Sequence, residues 1–135
     1  MEKIFSQIKN DILGKNYDLS IAYVSEKKSQ ELNKKWRRKD KPTNVLSFAL
    51  SKNSGELILC KAVIKREAKS FDRTFTEFLG FLVIHGMLHL KGLEHSSTME
   101  RKENKYDQKY FRGDRRGLDD DTGRGRRVHQ GRKKS

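Results

Sequence analysis

Three of the four histidines in this chain of 135 residues lie within eleven consecutive residues, HGMLHLKGLEH. His85 and His89 are four residues apart, a spacing that puts two side chains on one side of a helix, about 6 Å apart along its axis. Gly92 follows, and glycine readily adopts the left-handed conformation that ends a helix and turns the chain back towards His95. Three neutral imidazoles bind zinc and leave a fourth coordination position open, as catalytic sites do. We therefore predict one zinc ion held by these three histidines.

Metal binding has to be weighed against simple packing, because a single histidine on an apolar helix is usually a satisfied core residue. Burying three imidazoles without partners would be costly, so packing explains this pattern poorly. Cys60, Glu94 and Glu100 are weaker ligand candidates. For Glu94, which precedes His95, we favour a solvated position or a supporting contact over direct ligation.

The residue after the first histidine is Gly86, where the zinc-protease motif H-E-x-x-H has glutamate. In those proteases the glutamate accepts a proton from the activated water and passes it on, which glycine cannot do. Peptide hydrolysis needs this relay because an amine is a poor leaving group. Phosphodiester cleavage depends more on positive charge from a metal and an arginine. The motif therefore favours phosphate chemistry, unless a base enters from elsewhere in the fold.

The formal net charge of +13 points in the same direction. Contacts between basic side chains and phosphates release counterions, so a polyanionic partner is favoured over simple solubility as the reason for this excess. The single cysteine excludes an intrachain disulfide and fits a cytoplasmic protein. We also expect no secretory signal and no membrane span, because no apolar run reaches about 18 residues.

The spacing of apolar residues predicts the elements that must position the histidines. The helix at 74–90 is apolar nearly all round, which is typical of a central buried helix. Trp36 is the last large apolar residue of its helix, where we favour core packing over base stacking. Ser25 is the expected cap of that helix, and Ser97 or Thr98 the expected cap of the last one. The predicted helices are 1–13, 25–36, 61–71, 74–90 and 97–111, and the predicted strands are 18–25, 45–50 and 56–63.

After Phe111 the composition changes abruptly. Residues 112–135 contain half of the ten glycines, nine Lys or Arg against four Asp, and no aromatic residue. Such a segment cannot bury enough apolar surface to offset the entropy of ordering it, so we predict a disordered basic tail. Because the tail accounts for five of the thirteen net positive charges, residues 1–111 still carry +8.

Two motifs in the chain resemble signatures of the YbeY endoribonucleases, the metal-dependent rRNA maturation factors of bacteria. HGMLHLKGLEH is similar to H-G-x-L-H-L-x-G-[YLF]-[DE]-H, and LNKKWRRKDKPTNVLSF is similar to L-N-x-x-[YWF]-R-x-K-D-x-x-T-[ND]-V-L-S-F. The resemblance covers residues 1–111 and has no counterpart for the tail. It implies a single α+β domain, in which a small mixed β-sheet packs against helices and a central buried helix carries two of the metal ligands. The implied ligands are His85, His89 and His95.

The resemblance also implies an activity and its partners: cleavage of single-stranded RNA in 16S rRNA 3′-end maturation and ribosome quality control, on ribosomal particles. The functional arginine of the family corresponds to Arg37, and Arg38 stands where many members have glycine. Arg37 is then expected to bind the scissile phosphate through its planar fork. The alternative is a non-catalytic ribosome-assembly factor that zinc staples together and that docks on rRNA. A hydrolase of peptides or small molecules ranks third, and the sequence does not indicate the oligomeric state.

Overall fold

A computed structural model describes residues 2–112 of the chain, with the side chains of residues 3–111. The predicted disorder of the tail concerns residues almost entirely outside this range. This range contains five α-helices and one sheet of three strands. The elements are α1 (Glu2–Ile12), β1 (Asp18–Tyr23), α2 (Glu26–Arg37), β2 (Val45–Ser51), β3 (Ser54–Leu59), α3 (Lys61–Ser70), α4 (Phe75–Leu90) and α5 (Ser97–Asp107), the last continued by a π-helical turn over Gln108–Arg112.

The sheet is mixed, as expected, with β3 in its centre. β1 pairs with β3 in parallel, so that Ile21 lies opposite Leu57. β2 pairs with β3 antiparallel, and Ser47 lies opposite the same leucine. Leu57 and Leu59 are buried while the residues between and before them are partly exposed, so one face of β3 points into the core.

Helix α4 is the centre of the core, and every residue from Phe78 to Leu88 in it is buried. It begins with a capping box, in which Thr74 Oγ1 accepts from the Glu77 backbone N–H at 3.1 Å and Glu77 Oε1 accepts from that of Thr74 at 3.3 Å. The predicted α+β fold with a central buried helix is confirmed. No helix among residues 2–112 is long and apolar enough to cross a membrane.

Gly86 lets this helix lie close to the sheet. A Cβ atom at this position would be 2.7 Å from Leu57 Cδ2 and 3.0 Å from Ser47 Oγ, which is too close for the present packing. The Ser47 hydroxyl also donates to the Gly86 carbonyl at 3.3 Å. The glycine that the sequence presents as a missing catalytic group is therefore required by contact between α4 and the sheet.

The prediction that Trp36 packs in the core is wrong, because this residue is 59% exposed. The side of α2 that is buried is polar and consists of Ser29 and Asn33. Ser29 Oγ accepts from the Thr43 N–H at 2.9 Å and donates to its carbonyl at 2.8 Å, and Asn33 Nδ2 donates to the Lys41 carbonyl at 2.9 Å. Helix α2 thus packs on the loop that follows it, which leaves Trp36, the one aromatic residue of this helix, on the surface.

Two predicted boundaries also change. The strand predicted over 56–63 ends at Leu59, because Cys60, which is buried as expected, already leads into α3. The last α-helix is capped by Ser96 and not by Ser97 or Thr98, since Ser96 Oγ accepts from the Met99 N–H at 3.2 Å.

Candidate metal centre

The structure brings together the three histidines that the sequence indicated. His85 and His89 come from α4 and His95 from the loop before α5, and one possible ligand atom of each lies within 4.8 Å of those of the other two. Their ring centroids are 4.6 to 5.3 Å apart. His85 is buried, His89 half-buried and His95 exposed, so the group opens towards solvent on one side. We call these three residues the metal centre.

Two of these histidines make hydrogen bonds through Nδ1, and their Nε2 atoms face each other at the position where a metal could bind. His85 Nδ1 is hydrogen-bonded to the carboxylate of Glu103, and His89 Nδ1 donates to the Leu93 carbonyl at 3.1 Å. With Nδ1 protonated in both rings, each Nε2 carries a lone pair, and the two Nε2 atoms are only 3.1 Å apart. A cation bound to both Nε2 atoms would stabilise two acceptors that lie so close together. Tetrahedral zinc would place two ligand nitrogens about 3.3 Å apart, close to the observed distance.

The turn after α4 both ends the helix and orients His89. Gly92 has a φ of 105°, the left-handed conformation expected from the sequence. Its N–H donates to the His89 carbonyl at 2.9 Å, and the Leu93 N–H donates to the Leu88 carbonyl at 3.1 Å, which together form a Schellman motif. The Leu93 carbonyl of this same turn accepts from the His89 ring. The chain reversal and the position of the second imidazole therefore depend on one glycine.

Glu103 is the functional candidate that sequence reasoning missed. It lies on α5, is fully buried, and contacts the ring of His85. A carboxylate that accepts from the distal nitrogen of a metal-binding histidine sets its tautomer and raises its basicity. The signal was present in the helical spacing, because Met99, Glu103 and Asp107 follow at intervals of four and form the buried side of α5. An acidic residue in line with a buried methionine needs a partner inside the fold.

The carboxylates that the sequence did indicate lie elsewhere. Glu94 is exposed and Glu100 half-buried, and Cys60 is buried at the start of α3. In the described part of the chain, the group able to hold a metal consists of the three histidines alone. The donor set is thus all nitrogen, which suits zinc and other borderline transition metals better than magnesium or calcium.

The environment of His89 keeps its ring neutral. Burial, and after it the electrostatic effect of neighbouring His85 and His95, lowers the pKa of His89 to about 4. A neutral imidazole is the form that binds a metal ion. At neutral pH no proton therefore has to be displaced from His89 before a metal can bind.

The metal centre forms part of a cleft of about 470 Å³, which we call the histidine cleft. Arg37, the last residue of α2, lines it together with Trp36. The remaining wall comes from β2, the residue before it and the first half of α4. These lining residues are Asn44, Val45, Leu46, Ser47, Phe48, Phe78, Phe81 and Leu82. The structure thus places the predicted arginine and the predicted metal ligands around one cavity.

Arg38, directly after Arg37, has a φ of 59° in the left-handed region and ends α2. Its N–H donates to the Lys34 carbonyl at 3.0 Å, and the Lys39 N–H donates to that of Asn33 at 3.3 Å. Glycine adopts this conformation without steric cost, which explains physically why a glycine suits this position. The left-handed conformation of Arg38 therefore ends α2 directly after Arg37, which lines the cleft.

Comparison with known proteins agrees with this geometry. The chain matches the family described as Endoribonuclease YbeY over residues 1–112. Endoribonuclease YbeY of Staphylococcus carnosus is 37% identical over 98 residues, which cover 64% of each chain. Its counterpart in Colwellia psychrerythraea is 43% identical over 95 residues, covering 65% of this chain and 61% of the relative. The chain thus spans less than two thirds of the length of these curated relatives.

A solved structure shows the same fold. The solution structure of TM1509 from Thermotoga maritima superposes with a TM-score of 0.61 at 31% sequence identity, covering 86% of this chain and 84% of that one. The family match extends over all the elements that build the metal centre. The chain belongs to the Endoribonuclease YbeY family.

Proposed function

We propose that this chain is a zinc-dependent endoribonuclease that cleaves single-stranded RNA. The observation that carries the proposal is the histidine cleft, in which three imidazoles able to hold a metal share one cavity with Arg37. The name of the curated relatives, Endoribonuclease YbeY, supports the same activity. The exposed position of His95 leaves the metal centre accessible from the cleft, as catalysis requires.

Each residue of the site has a defined task in this reaction. Zinc held by His85, His89 and His95 would supply positive charge to a phosphate oxygen and would make a water molecule more acidic. Arg37 binds the scissile phosphate through two parallel N–H donors and stabilises the negative charge that grows in the transition state. Glu103 holds His85 in the tautomer with a free Nε2, and the Leu93 carbonyl does the same for His89. Because residue 86 is glycine, it offers no carboxylate as a proton acceptor, which fits cleavage of a phosphodiester better than cleavage of a peptide.

The exposed surface near the cleft supports RNA as the substrate. Basic side chains are concentrated on α2 and in the loop that follows it, where their positive charges favour binding of a phosphate backbone. The exposed basic residues of this segment are Lys27, Lys28, Lys34, Lys35, Arg37, Arg38, Lys39 and Lys41. We place the activity in the cytoplasm, in 16S rRNA 3′-end maturation and ribosome quality control, with ribosomal particles as partners.

Two substitutions test the activity. His89→Ala is expected to lose zinc and RNA cleavage together, whereas Arg37→Ala is expected to keep zinc and lose cleavage. Zinc is measured by elemental analysis, and cleavage on a fluorescently labelled single-stranded RNA. Arg66→Ala is the matched control, because Arg66 is an exposed arginine that pairs with Glu26 outside the histidine cleft. Full cleavage by both site variants would overturn the proposal.

A non-catalytic role as a zinc-stapled assembly factor is favoured by one observation. The bond between His85 on α4 and Glu103 on α5 means that a bound metal also cross-links two helices. Chelation separates the two functions. A staple predicts that the zinc-loaded protein binds rRNA but never cleaves it, and that removal of zinc unfolds the chain. An enzyme predicts cleavage by the loaded protein, lost in Arg37→Ala without any change in folding.

A further inference from the structure

Two aromatic side chains at the histidine cleft stand outside the apolar core. Trp36 is 59% exposed and Phe48 is partly exposed. Their rings meet edge-on, with centroids 5.9 Å apart and an angle of 70° between the planes. This contact fixes the orientation of the indole on the surface. Trp36 is also joined directly to Arg37, so the aromatic pair and the phosphate-binding candidate belong to one wall of the same cavity.

The lining of the cleft combines two kinds of chemistry. A metal ion and a phosphate group need only the histidines and Arg37. The rest of the lining includes the polar residues Asn44 and Ser47 but is mostly apolar, with Trp36, Val45, Leu46, Phe48, Phe78, Phe81 and Leu82. A nucleotide has the same two halves, an anionic phosphate and a flat ring with apolar faces. The cleft therefore fits a nucleotide whose base has left its own stack better than it fits a bare phosphate.

We infer that Trp36, braced by Phe48, stacks an unpaired base next to the phosphate that Arg37 binds, and thereby selects single-stranded over duplex RNA. The inference rests on the proposed RNA cleavage and adds Trp36 as the residue that distinguishes single-stranded from double-stranded RNA. A paired base is already stacked between its neighbours and cannot lie on the indole, whereas an unpaired base can. Stacking is available to all four bases, so this contact selects for single strands without selecting a sequence.

Lys35 adds to this contact. Its Nζ lies 5.2 Å from the centroid of the Trp36 ring, a cation–π arrangement of an exposed lysine. A base that stacks on the indole replaces this contact. Lys35, the residue before Trp36, then stays close to the stacking site, where its charge favours binding of the RNA backbone.

The fluorescence of Trp36 provides a direct test, because it is the only tryptophan in the chain. Unlabelled oligoadenylate and a blunt RNA duplex of the same length are titrated in EDTA, which prevents cleavage, and folding is checked by circular dichroism. Single-stranded RNA is expected to quench the emission to saturation, and the duplex to quench it far less. Unchanged emission with saturating single-stranded RNA would overturn the inference.

Substitutions give a second, independent readout through the fluorescence anisotropy of labelled RNA. Trp36→Ala is expected to weaken binding of single-stranded RNA about 5- to 150-fold and to leave duplex binding unchanged, and Trp36→Phe to restore most of the affinity. Tyr23→Ala is the matched control and should bind as the unsubstituted protein does. Tyr23 is a 44% exposed aromatic residue with the Nζ of Lys61 4.4 Å from its ring centroid, and it lies outside the histidine cleft.

The outcomes separate this inference from the proposed activity. If Trp36→Ala binds both RNAs as the unsubstituted protein does, or loses both equally, Trp36 does not select single strands even if cleavage is observed. If single-stranded RNA quenches Trp36 and Trp36→Ala weakens its binding, the stacking site is supported even if the zinc-loaded protein cleaves nothing. In that case it is the proposed activity that fails.

Discussion

The carboxylate of Glu103 on α5 is hydrogen-bonded to Nδ1 of His85 on α4, in the interior of the domain. Glu103 is 0% exposed, and the histidine that it contacts is buried as well. His85 is therefore oriented by helix α5, which begins only after His95, the last of the three histidines. The geometry of the metal centre depends on how α4 and α5 pack against each other.

Replacement of this carboxylate should weaken metal binding without unfolding the protein. Glu103→Gln keeps the shape of the side chain but removes the charge that makes the imidazole a stronger ligand. We expect zinc affinity to fall about 10- to 100-fold, measured by competition with a chelating dye. Glu94→Gln is the control, because Glu94 adjoins His95 but is exposed. Equal zinc affinity of Glu103→Gln and the unsubstituted protein would contradict the positioning role.

A side chain at position 86 should destabilise the fold. In Gly86→Ala the new methyl group collides with Leu57, whose nearest atom would be 2.7 Å away. Overpacking of this kind costs about 1–3 kcal/mol, and the higher helix propensity of alanine offsets at most about 1 kcal/mol. The free energy of unfolding is measured in urea. If the collision is the cause, Leu57→Ala and Gly86→Ala combined should cost less than the sum of the two single substitutions.

The buried ion pair between Arg73 and Asp107 should matter chiefly when one partner is removed. Arg73 Nη2 donates to both carboxylate oxygens, at 3.0 and 3.2 Å, and both side chains are buried. Asp107→Ala leaves a buried guanidinium without its counter-charge, and we expect a loss of about 3–5 kcal/mol in the free energy of unfolding. The double variant Arg73→Met with Asp107→Leu should regain most of this loss. A double variant as unstable as the single one would show that the pair itself stabilises the fold.

An exposed contact near the end of the described chain should make stability depend on acidity. Asp11 on α1 accepts from Lys109 Nζ at 2.7 Å and from the Tyr110 hydroxyl, and these hydrogen bonds lower the pKa of Asp11. The stabilisation is therefore fully present above the ordinary aspartate pKa of about 3.9 and is lost as the pH falls through the lowered value. Asp11→Asn should be less stable than the unsubstituted protein at pH 7, by less than about 1 kcal/mol. Urea denaturation between pH 7 and pH 2 should show the difference vanishing at low pH, and a constant difference would contradict this origin.

Local patterns were sufficient to predict most elements and the convergence of the three histidines. His85 and His89 share one side of a helix because four residues make about one turn, and Gly92 turns the chain because glycine accepts a positive φ. These are properties of neighbouring residues, so the sequence contains them directly. The same holds for the apolar stripe of α1 and for the nearly uniform apolar composition of α4, which predicted a buried helix.

The places where sequence reasoning failed involve residues that are distant along the chain. Glu103 is 18 residues from His85, the histidine that it orients, and no pattern in the neighbouring sequence indicates this partner. The position of Trp36 as the last large apolar residue of α2 predicts core packing, but the loop after α2 covers the polar side of that helix and the indole stays exposed. In both cases the partner is set by how elements pack, which periodicity does not describe.

The sequence by itself determined the chemistry that is available: three imidazoles at ligand spacing, an arginine after an aromatic residue, and an excess of positive charge. Only the tertiary structure decided which of these groups share a cavity, which carboxylate supports them, and why position 86 carries no side chain. The physical reason is the separation along the chain over which each effect acts. Helix periodicity and glycine turns act over a few neighbouring residues, whereas close packing joins side chains from strands and helices that the chain itself keeps far apart.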